Sequence, residues 1–559
     1  MKLRNRRFRG QYFLRTGIKM KHVNPISRRS FIHKTLISSA VIGGFGLYGC
    51  EIFTPKKKSA VRKFHISMQA EAWTEHPELI GIMKNAGITD VWMAAYLQGK
   101  WYKTPKELRE SADFLISNGF NPHILTVPLG HPGNAIDPTD ASLSEKKENW
   151  KNACDVDGSL YSGTSIHTPI IEDNIEVHRL LANEGFDILF LDDDFRLAKY
   201  PGKIGGCFCE DCKNEFLNSY NYSEEDWNVL VESVKKRNPT KVLRSWIDYI
   251  CDKEYDMFVA LQKATPQMEV GIMVMYLGAE KAGIALDKYQ DVPFRVGELM
   301  FGDKSFGKLK GKTDELFSAL FHRRFVRPEL AYSESTTYPQ DALSAKNMAA
   351  KLTISLLSDV RNTMFMSGLK PFPVDYWKML APAMEQSARL HKDIAGLKPT
   401  GPFKHYWGWD SRLVGEDKPF SLFLASGIPF EVIDDITDDG WIFLSNEDAR
   451  SVVEGRVIPK NKNLVVRNEA NVKDDSFIYL EETMEDIFAF KESIIPSLKN
   501  IPYVEGNTPV IFSWYPSAEK GLLWNVNEES HDFTIAINDK VLPTVTVEGL
   551  DVVLVSGLK

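Results

Sequence analysis

From residue 64 onward, short apolar runs of strand length alternate with stretches whose apolar positions recur at helical spacing. The strand-like runs are FHISMQAEAW (64–73), TDVWMAAYL (89–97), NPHILTVPL (121–129), FDILFLDDD (186–194), MEVGIMVMY (268–276), PFRVGELMF (293–301), ELAYSESTTYP (329–339) and NTMFMSGLK (362–370). Between them lie amphipathic segments such as PELIGIMKNAG, PKELRESADFLISNG, TDELFSALFHRRF and AKNMAAKLTISLLSDV. Eight strands with intervening helices predict an α/β fold, a (β/α)8 barrel over residues 64–397. A doubly wound open sheet is the competing topology. Residues 130–178, rich in Gly, Asp, Ser and His, read as a large loop after the third strand.

The register changes after GLKPTGPF (396–403). FSLFLASGIPFEVIDD and WIFLSNEDARSVVEG alternate strand and helix over a shorter span, predicting a small α/β, Rossmann-like domain at 398–500. PVIFSWYP, GLLWNVN, FTIAIND, PTVTVEG and DVVLVSG predict a small C-terminal β-sandwich at 501–559. A chain of 559 residues with 43% hydrophobic and 26% charged residues suits several cores of this kind.

The first 49 residues read differently. SRRSFIHK (27–34) and the apolar TLISSAVIGGFGLYG, ending at Cys50, resemble a bacterial signal peptide of the twin-arginine type closed by a lipobox. Cys50 would then carry lipid, and residues 50–63 would form a tether. The expected location is outside the cytoplasm, periplasmic or cell-envelope, with membrane contact only through the lipid; an uncleaved anchor is the alternative. Residues 1–49 hold 11 Lys/Arg and no Asp/Glu, so their removal takes the formal charge from −7 to −18. A body that acidic repels phosphate backbones, which argues against a nucleic-acid partner.

The densest chemistry lies at residues 188–212, ILFLDDDFR…GGCFCEDC. Carboxylates at the tip of a buried strand are costly to place and mark function. Asp192, Asp193 and Asp194 share a small volume, so one of them is expected to hold a proton near neutral pH, with Arg196 offsetting part of the charge. A hard cation such as Ca²⁺ is a second use for such a triplet. In a barrel the site is built at the C-terminal strand ends. Those ends offer Glu71 and Trp73, Tyr96, His131, Tyr276, Glu298 and Glu334, with Trp101 and Tyr338 as further aromatics. Facing carboxylates suit glycoside hydrolysis, and aromatics suit stacking on sugar faces.

Five cysteines follow Cys50: Cys154, Cys207, Cys209, Cys212 and Cys251. An odd number with CxCxxC spacing is a poor disulfide framework. Three thiolates plus Cys154 would make a closed, structural tetrahedral zinc site, one per chain. Free or disulfide-paired cysteines are the alternative, and Cys251, inside a helical pattern, reads as a buried apolar residue.

LDDDFR followed by CFCEDC resembles the region after the fourth barrel strand of glycoside hydrolase family 42 β-galactosidases. The resemblance implies Asp194 as acid/base, Asp193 in place of an Asn beside it, and Glu334 as nucleophile. It also implies Cys154, Cys207, Cys209 and Cys212 as zinc ligands, and a trimer mediated by the small α/β domain. The departures are Asp for Glu at 194, Asp for Asn at 193, and a longer insertion before Cys207. Together these readings predict an exported glycoside hydrolase acting on β-linked oligo- or polysaccharides with retention of configuration. Asp193, Arg196, Trp73, Tyr96, His131 and Glu298 are the expected substrate contacts. An inverting enzyme and a non-catalytic carbohydrate-binding lipoprotein on the same fold are the rival readings.

Overall fold

The structure is a computed structural model; it describes residues 62–69, 71–130, 145–167, 169–192, 195–274, 277–297, 300–468 and 472–559. The leader, Cys50 and the tether up to residue 61 lie outside the described residues. Among the described residues, no helix is long and apolar enough to cross a membrane.

Eight parallel strands close into a barrel: β1 (Lys63–Ser67), β2 (Asp90–Leu97), β3 (Asn121–Val127), β4 (Ile188–Leu191), β5 (Glu269–Met273), β6 (Phe294–Val296), β7 (Ala331–Thr336) and β8 (Asn362–Met366). Closure is made by β1, which pairs with β2 (His65↔Asp90) and with β8 (Phe64↔Thr363). Each strand falls within one of the apolar runs, except that β1 begins one residue earlier, at Lys63. The open-sheet alternative is excluded by the β1–β8 pairing. Helix starts agree with local chemistry: Thr104 and Glu107 form a capping box on Pro105–Ser117, and Ser223 and Asp226 form one on Glu224–Lys236.

Alternation along the strands sends Trp92, Leu125, Phe190, Tyr332 and Met364 into the barrel, where they fill its middle. The Trp92 and Phe190 rings sit 4.7 Å apart, and Phe190 and Tyr332 5.0 Å apart. Gly271 makes room for this plug, since a β-carbon there would lie 2.5 Å from Phe190 Cε1. The barrel is therefore a packed core, and any site must lie above the plug.

Beyond the barrel, five parallel strands form a sheet ordered β10-β9-β11-β12-β13: β9 (Phe403–Tyr406), β10 (Phe430–Ile433), β11 (Trp441–Leu444), β12 (Leu464–Arg467) and β13 (Phe477–Leu480). Phe403, Phe423 and Phe443 form part of its aromatic core, the last two stacked at 4.4 Å. This sheet grips the loop after β5. Trp407 Nε1 donates to Leu277 O at 3.2 Å, Lys281 pairs with Asp417, and Arg412 pairs with Glu280, each of these carboxylates and Lys281 being buried. The remaining strands, from Tyr503 to Ser556, form three small antiparallel sheets around Val504, Phe512, Leu523, Phe533 and Val547.

Candidate active site and cysteine cluster

Three charged side chains meet above the plug. Asp192 follows β4 directly, Arg295 is the central residue of β6, and Glu334 lies on β7. All three are buried, Arg295 completely. The guanidinium donates to Asp192 Oδ1, and its Nη2 lies 3.4 Å from Glu334 Oε1. Thr336 Oγ1 donates to the same Glu334 oxygen at 3.3 Å, and Met366 Sδ stands 3.1 Å from Arg295 Nη2. The strand period places Glu334 and Thr336 on one face, so the barrel's own geometry brings carboxylates from β4 and β7 onto one cation. Burying a carboxylate costs several kcal/mol unless it is paired and hydrogen-bonded. One guanidinium between two carboxylates supplies that pairing and leaves the trio negative. Such a trio can hold a carboxylate ionised and aimed at a bound molecule.

Arg295 was not singled out by sequence reasoning. Its signal was a charged residue in the middle of a three-residue strand, PFRV, where only an interior partner could keep it. Asp193, Asp194, His131, Tyr276 and Glu298 lie outside the described residues. Arg196 is buried and folds back onto its own loop, Nη1 donating to Ala198 O at 2.6 Å. Beneath it, burial pushes the Glu254 carboxyl well above the usual carboxylate range, opposed by the Leu197 N–H and the Arg196 charge. Trp73 is 1% exposed and packs on Phe120 at 5.4 Å, so it shows no open face. Tyr96 is 4% exposed, edge-on to Trp101 (5.2 Å) and Trp150 (6.3 Å); burial and the Asp173 charge push its hydroxyl up to about 12.

The sulfurs of Cys207, Cys209 and Cys212 lie within 4.8 Å of one another. Cys209 precedes the helix Glu210–Tyr220 and Cys212 lies in its first turn, so local geometry brings these two together. Hydrogen bonding to Cys212 holds the Cys209 thiol down to about 4 and lowers Cys207, while Cys212 itself is raised by carrying the shared proton. Cys154 N donates to Cys207 Sγ at 3.4 Å and Cys154 O accepts from Phe208 N at 2.8 Å. Its own sulfur points to Asp155 O (3.5 Å) and is not among the three that converge, though it lies near enough to feel the charges of Cys207 and Cys209. Cys251 is buried in the helix Lys241–Ala264, its Sγ 3.3 Å from Glu280 O. Three converging sulfurs, two of them held down by hydrogen bonding to the third, are a donor set that fits a thiophilic metal ion.

No protein-family model and no curated protein matches the sequence. The architecture, in contrast, matches solved structures. A β-galactosidase from Rahnella sp. R3 aligns with a TM-score of 0.58 at 11% identity, over 89% of this chain and 98% of that one. A β-galactosidase from Bacillus circulans sp. alkalophilus gives 0.57 at 10% identity, over 89% and 99%. One from the psychrophilic Marinomonas ef1 gives 0.52 at 10% identity, over 88% and 99%. The chain therefore shares, over nearly its whole described length, the fold of these β-galactosidases: a (β/α)8 barrel followed by further sheets.

Proposed function

We propose that the protein is a glycoside hydrolase cleaving β-linked oligo- or polysaccharides, with Glu334 as nucleophile and Asp194 as acid/base. The observation that carries the reading is the Asp192–Arg295–Glu334 trio, which sets a buried carboxylate on β7 opposite the acidic end of β4 at the barrel mouth. Arg295 favours the ionised form of Glu334, the form that attacks an anomeric carbon. Asp194, beside Asp192 and Asp193, is the member expected to be protonated and to give its proton to the leaving oxygen. Water then attacks the glycosyl ester with Asp194 as base, returning the proton and the original configuration. The fold shared with β-galactosidases supports the carbohydrate class but leaves the sugar open.

The test is hydrolysis of a panel of 4-nitrophenyl β-glycosides, with the first-formed anomer read by NMR. A β product supports retention. An α product moves the mechanism to inversion, for which the shorter Asp at 194 would leave room for water. No turnover on any glycoside, with retained sugar binding, would make the protein a carbohydrate-binding lipoprotein.

The cysteine trio, completed by Cys154, is proposed to hold one structural zinc, a crosslink between the Cys154 hairpin and the loop after β4. Metal analysis should find about one zinc per chain. Cys209→Ser should lose it and Cys251→Ser should keep it; a metal-free protein of full stability would sink this assignment. Export and lipidation at Cys50 remain part of the proposal: Arg28→Lys with Arg29→Lys should hold precursor in the cytoplasm. The trimer is tested by sedimentation of the mature chain.

A further inference from the structure

A cleft of about 490 Å³ lies on the loop that leaves β4, away from the Asp192–Arg295–Glu334 trio. Its lining includes Tyr200, Lys203, Lys235, Arg237 and Lys418 against Asp157 and Glu416. Positive groups are in excess here, on a chain whose body is strongly negative. The excess is real at the level of contacts. Lys199 and Lys203 both stand 3.7 Å from one oxygen of Asp155, two ammoniums to one carboxylate. Arg237 spends its donors on the carbonyls of Gly202, Val414 and Gly415, and among the described residues no carboxylate lies within ion-pair distance of it. Asp157 is engaged by Ser159 N and Oγ, and Glu416 pairs with Lys418. Tyr200 is 52% exposed, its ring 5.6 Å from Lys203 Nζ. Lys235 lies 3.8 Å from Glu232, so each lysine of the lining has a carboxylate near it, while the lining as a whole carries more cations than carboxylates. An exposed aromatic ring in such a setting suits a ligand with both a ring face and negative charge.

The cleft is linked to the barrel mouth through the chain that leaves β4. Ala198 packs on Met273, the last residue of β5, and on Phe301. Tyr200 follows two residues later, within roughly 7 Å of chain. A hairpin, Asn152–Cys154 with Leu160–Thr164, ties the two places together. Its tip supplies Asp157 to the cleft, with Asp155 buried beside it. At its base sits Lys146, bonded to Asn152 Oδ1 (2.8 Å) and Gly163 O (2.9 Å), both neutral. Lys146 also lies against Gly130, three residues beyond β3, and among the described residues no carboxylate lies within ion-pair distance of it.

We propose that this cleft is a second, non-catalytic subsite that holds an anionic stretch of the saccharide, with one ring on Tyr200 and its sulfate or carboxylate groups facing Lys203, Lys235 and Arg237. The proposal rests on the glycosidase reading and names its substrate class. The test separates the two. Binding is measured by affinity electrophoresis and calorimetry on the mature Glu334→Gln protein, so that turnover plays no part. The probes are one β-1,4-galactan in three forms: neutral, sulfated, and oxidised at C6 to the uronate. Wild-type cleft residues should favour the charged forms, and the better of the two identifies the anion. Lys203→Glu with Lys235→Glu, or Tyr200→Ala, should weaken charged-galactan binding about tenfold or more, the loss of a charge-assisted contact, while neutral galactan is unaffected. Lys203→Arg and Tyr200→Phe should retain binding, which guards against misfolding as the cause. Equal binding of all three galactans overturns the anionic class; charged-galactan binding unchanged in the variants overturns the cleft. Neither result bears on hydrolysis of aryl glycosides, and failure of that hydrolysis leaves the binding test standing.

Discussion

The barrel buries carboxylates at both ends of its aromatic plug, and it treats them in opposite ways. At the N-terminal end, Asp90 at the start of β2 accepts from His123 Nε2 (2.8 Å), Thr89 Oγ1 (2.5 Å) and Asn121 Nδ2 (3.4 Å). Burial opposes its charge, but the His123 bond, with His65 and Thr89, wins and holds the carboxyl well below the usual range. His65 is pushed down to about 4, chiefly by burial against the pull of Asp90, and so stays neutral; Trp92 Nε1 and Asn362 Oδ1 engage its two nitrogens. At the C-terminal end, Asp192 and Glu334 share one guanidinium. Donors spread over three neighbours fix a carboxylate in place and finish its bonding. A single cation between two carboxylates balances charge only in part and leaves reactive negative charge at the mouth. The first arrangement is a structural device and the second a chemical one, in keeping with the division of labour between the two faces of such barrels.

That contrast can be broken most directly at Glu334. Glu334→Gly should cost roughly 10⁴-fold or more in kcat, and azide should restore turnover as a glycosyl azide of inverted configuration. A variant that retains activity would remove the C-terminal trio from the chemistry. Next in size, Asp194→Ala should cost about 10²–10⁴-fold on substrates with poor leaving groups and far less on activated aryl glycosides. Equal losses on both would pass the acid role to Asp193.

Arg295→Leu and Asp90→Asn sharpen the comparison itself. Arg295→Leu strands two buried carboxylates and should destabilise by about 3–5 kcal/mol in chemical denaturation. It should also lower kcat/KM across its pH profile, because Glu334 loses the cation that holds its carboxylate in place. Asp90→Asn should cost about 1–3 kcal/mol and leave kcat/KM and its pH profile unchanged. If both variants moved the profile alike, the two ends would not be distinct in kind.

The smallest expected effect is acid sensitivity from the N-terminal end and its surroundings. His65 is held near 4, and His178, with neither ring nitrogen hydrogen-bonded, near 3, in both cases through burial. Below pH 6.5 the unfolded chain takes up protons that the folded one refuses. Stability from these histidines is therefore complete above pH 6.5 and falls as pH drops through the window from 6.5 to 4. Thermal melts across that window should flatten in His178→Leu. An unchanged slope would assign the acid response elsewhere.

The eight barrel strands were readable because a strand buried on both faces is a short apolar run, and each run here is bounded by polar or turn-forming residues. The place of Glu334 on β7 followed from counting those runs. The trio of sulfurs was equally local: six residues around a helix start bring Cys207, Cys209 and Cys212 together wherever that helix goes. Arg295 was not readable, since its partners lie 103 residues before it and on the next strand, and nothing in PFRV says which carboxylates it will meet. Trp73 and Tyr96 read as open sugar platforms by type and position, yet packing against Phe120, Trp101 and Trp150 encloses them.

By itself, then, the sequence determined what is local and periodic: the alternation of strand and helix, the acidic tip of β4, the cysteine spacing and the charge of the body. The tertiary structure alone decided which distant charges are neighbours. It paired Asp192 and Glu334 through Arg295, closed Asp90 among hydrogen-bond donors, and left Arg237 with no carboxylate in ion-pair distance among the described residues. The reason is physical. Apolar burial depends on composition and period, which a linear pattern carries, whereas the energy of a charge depends on distance to its partner, which exists only once the barrel has closed.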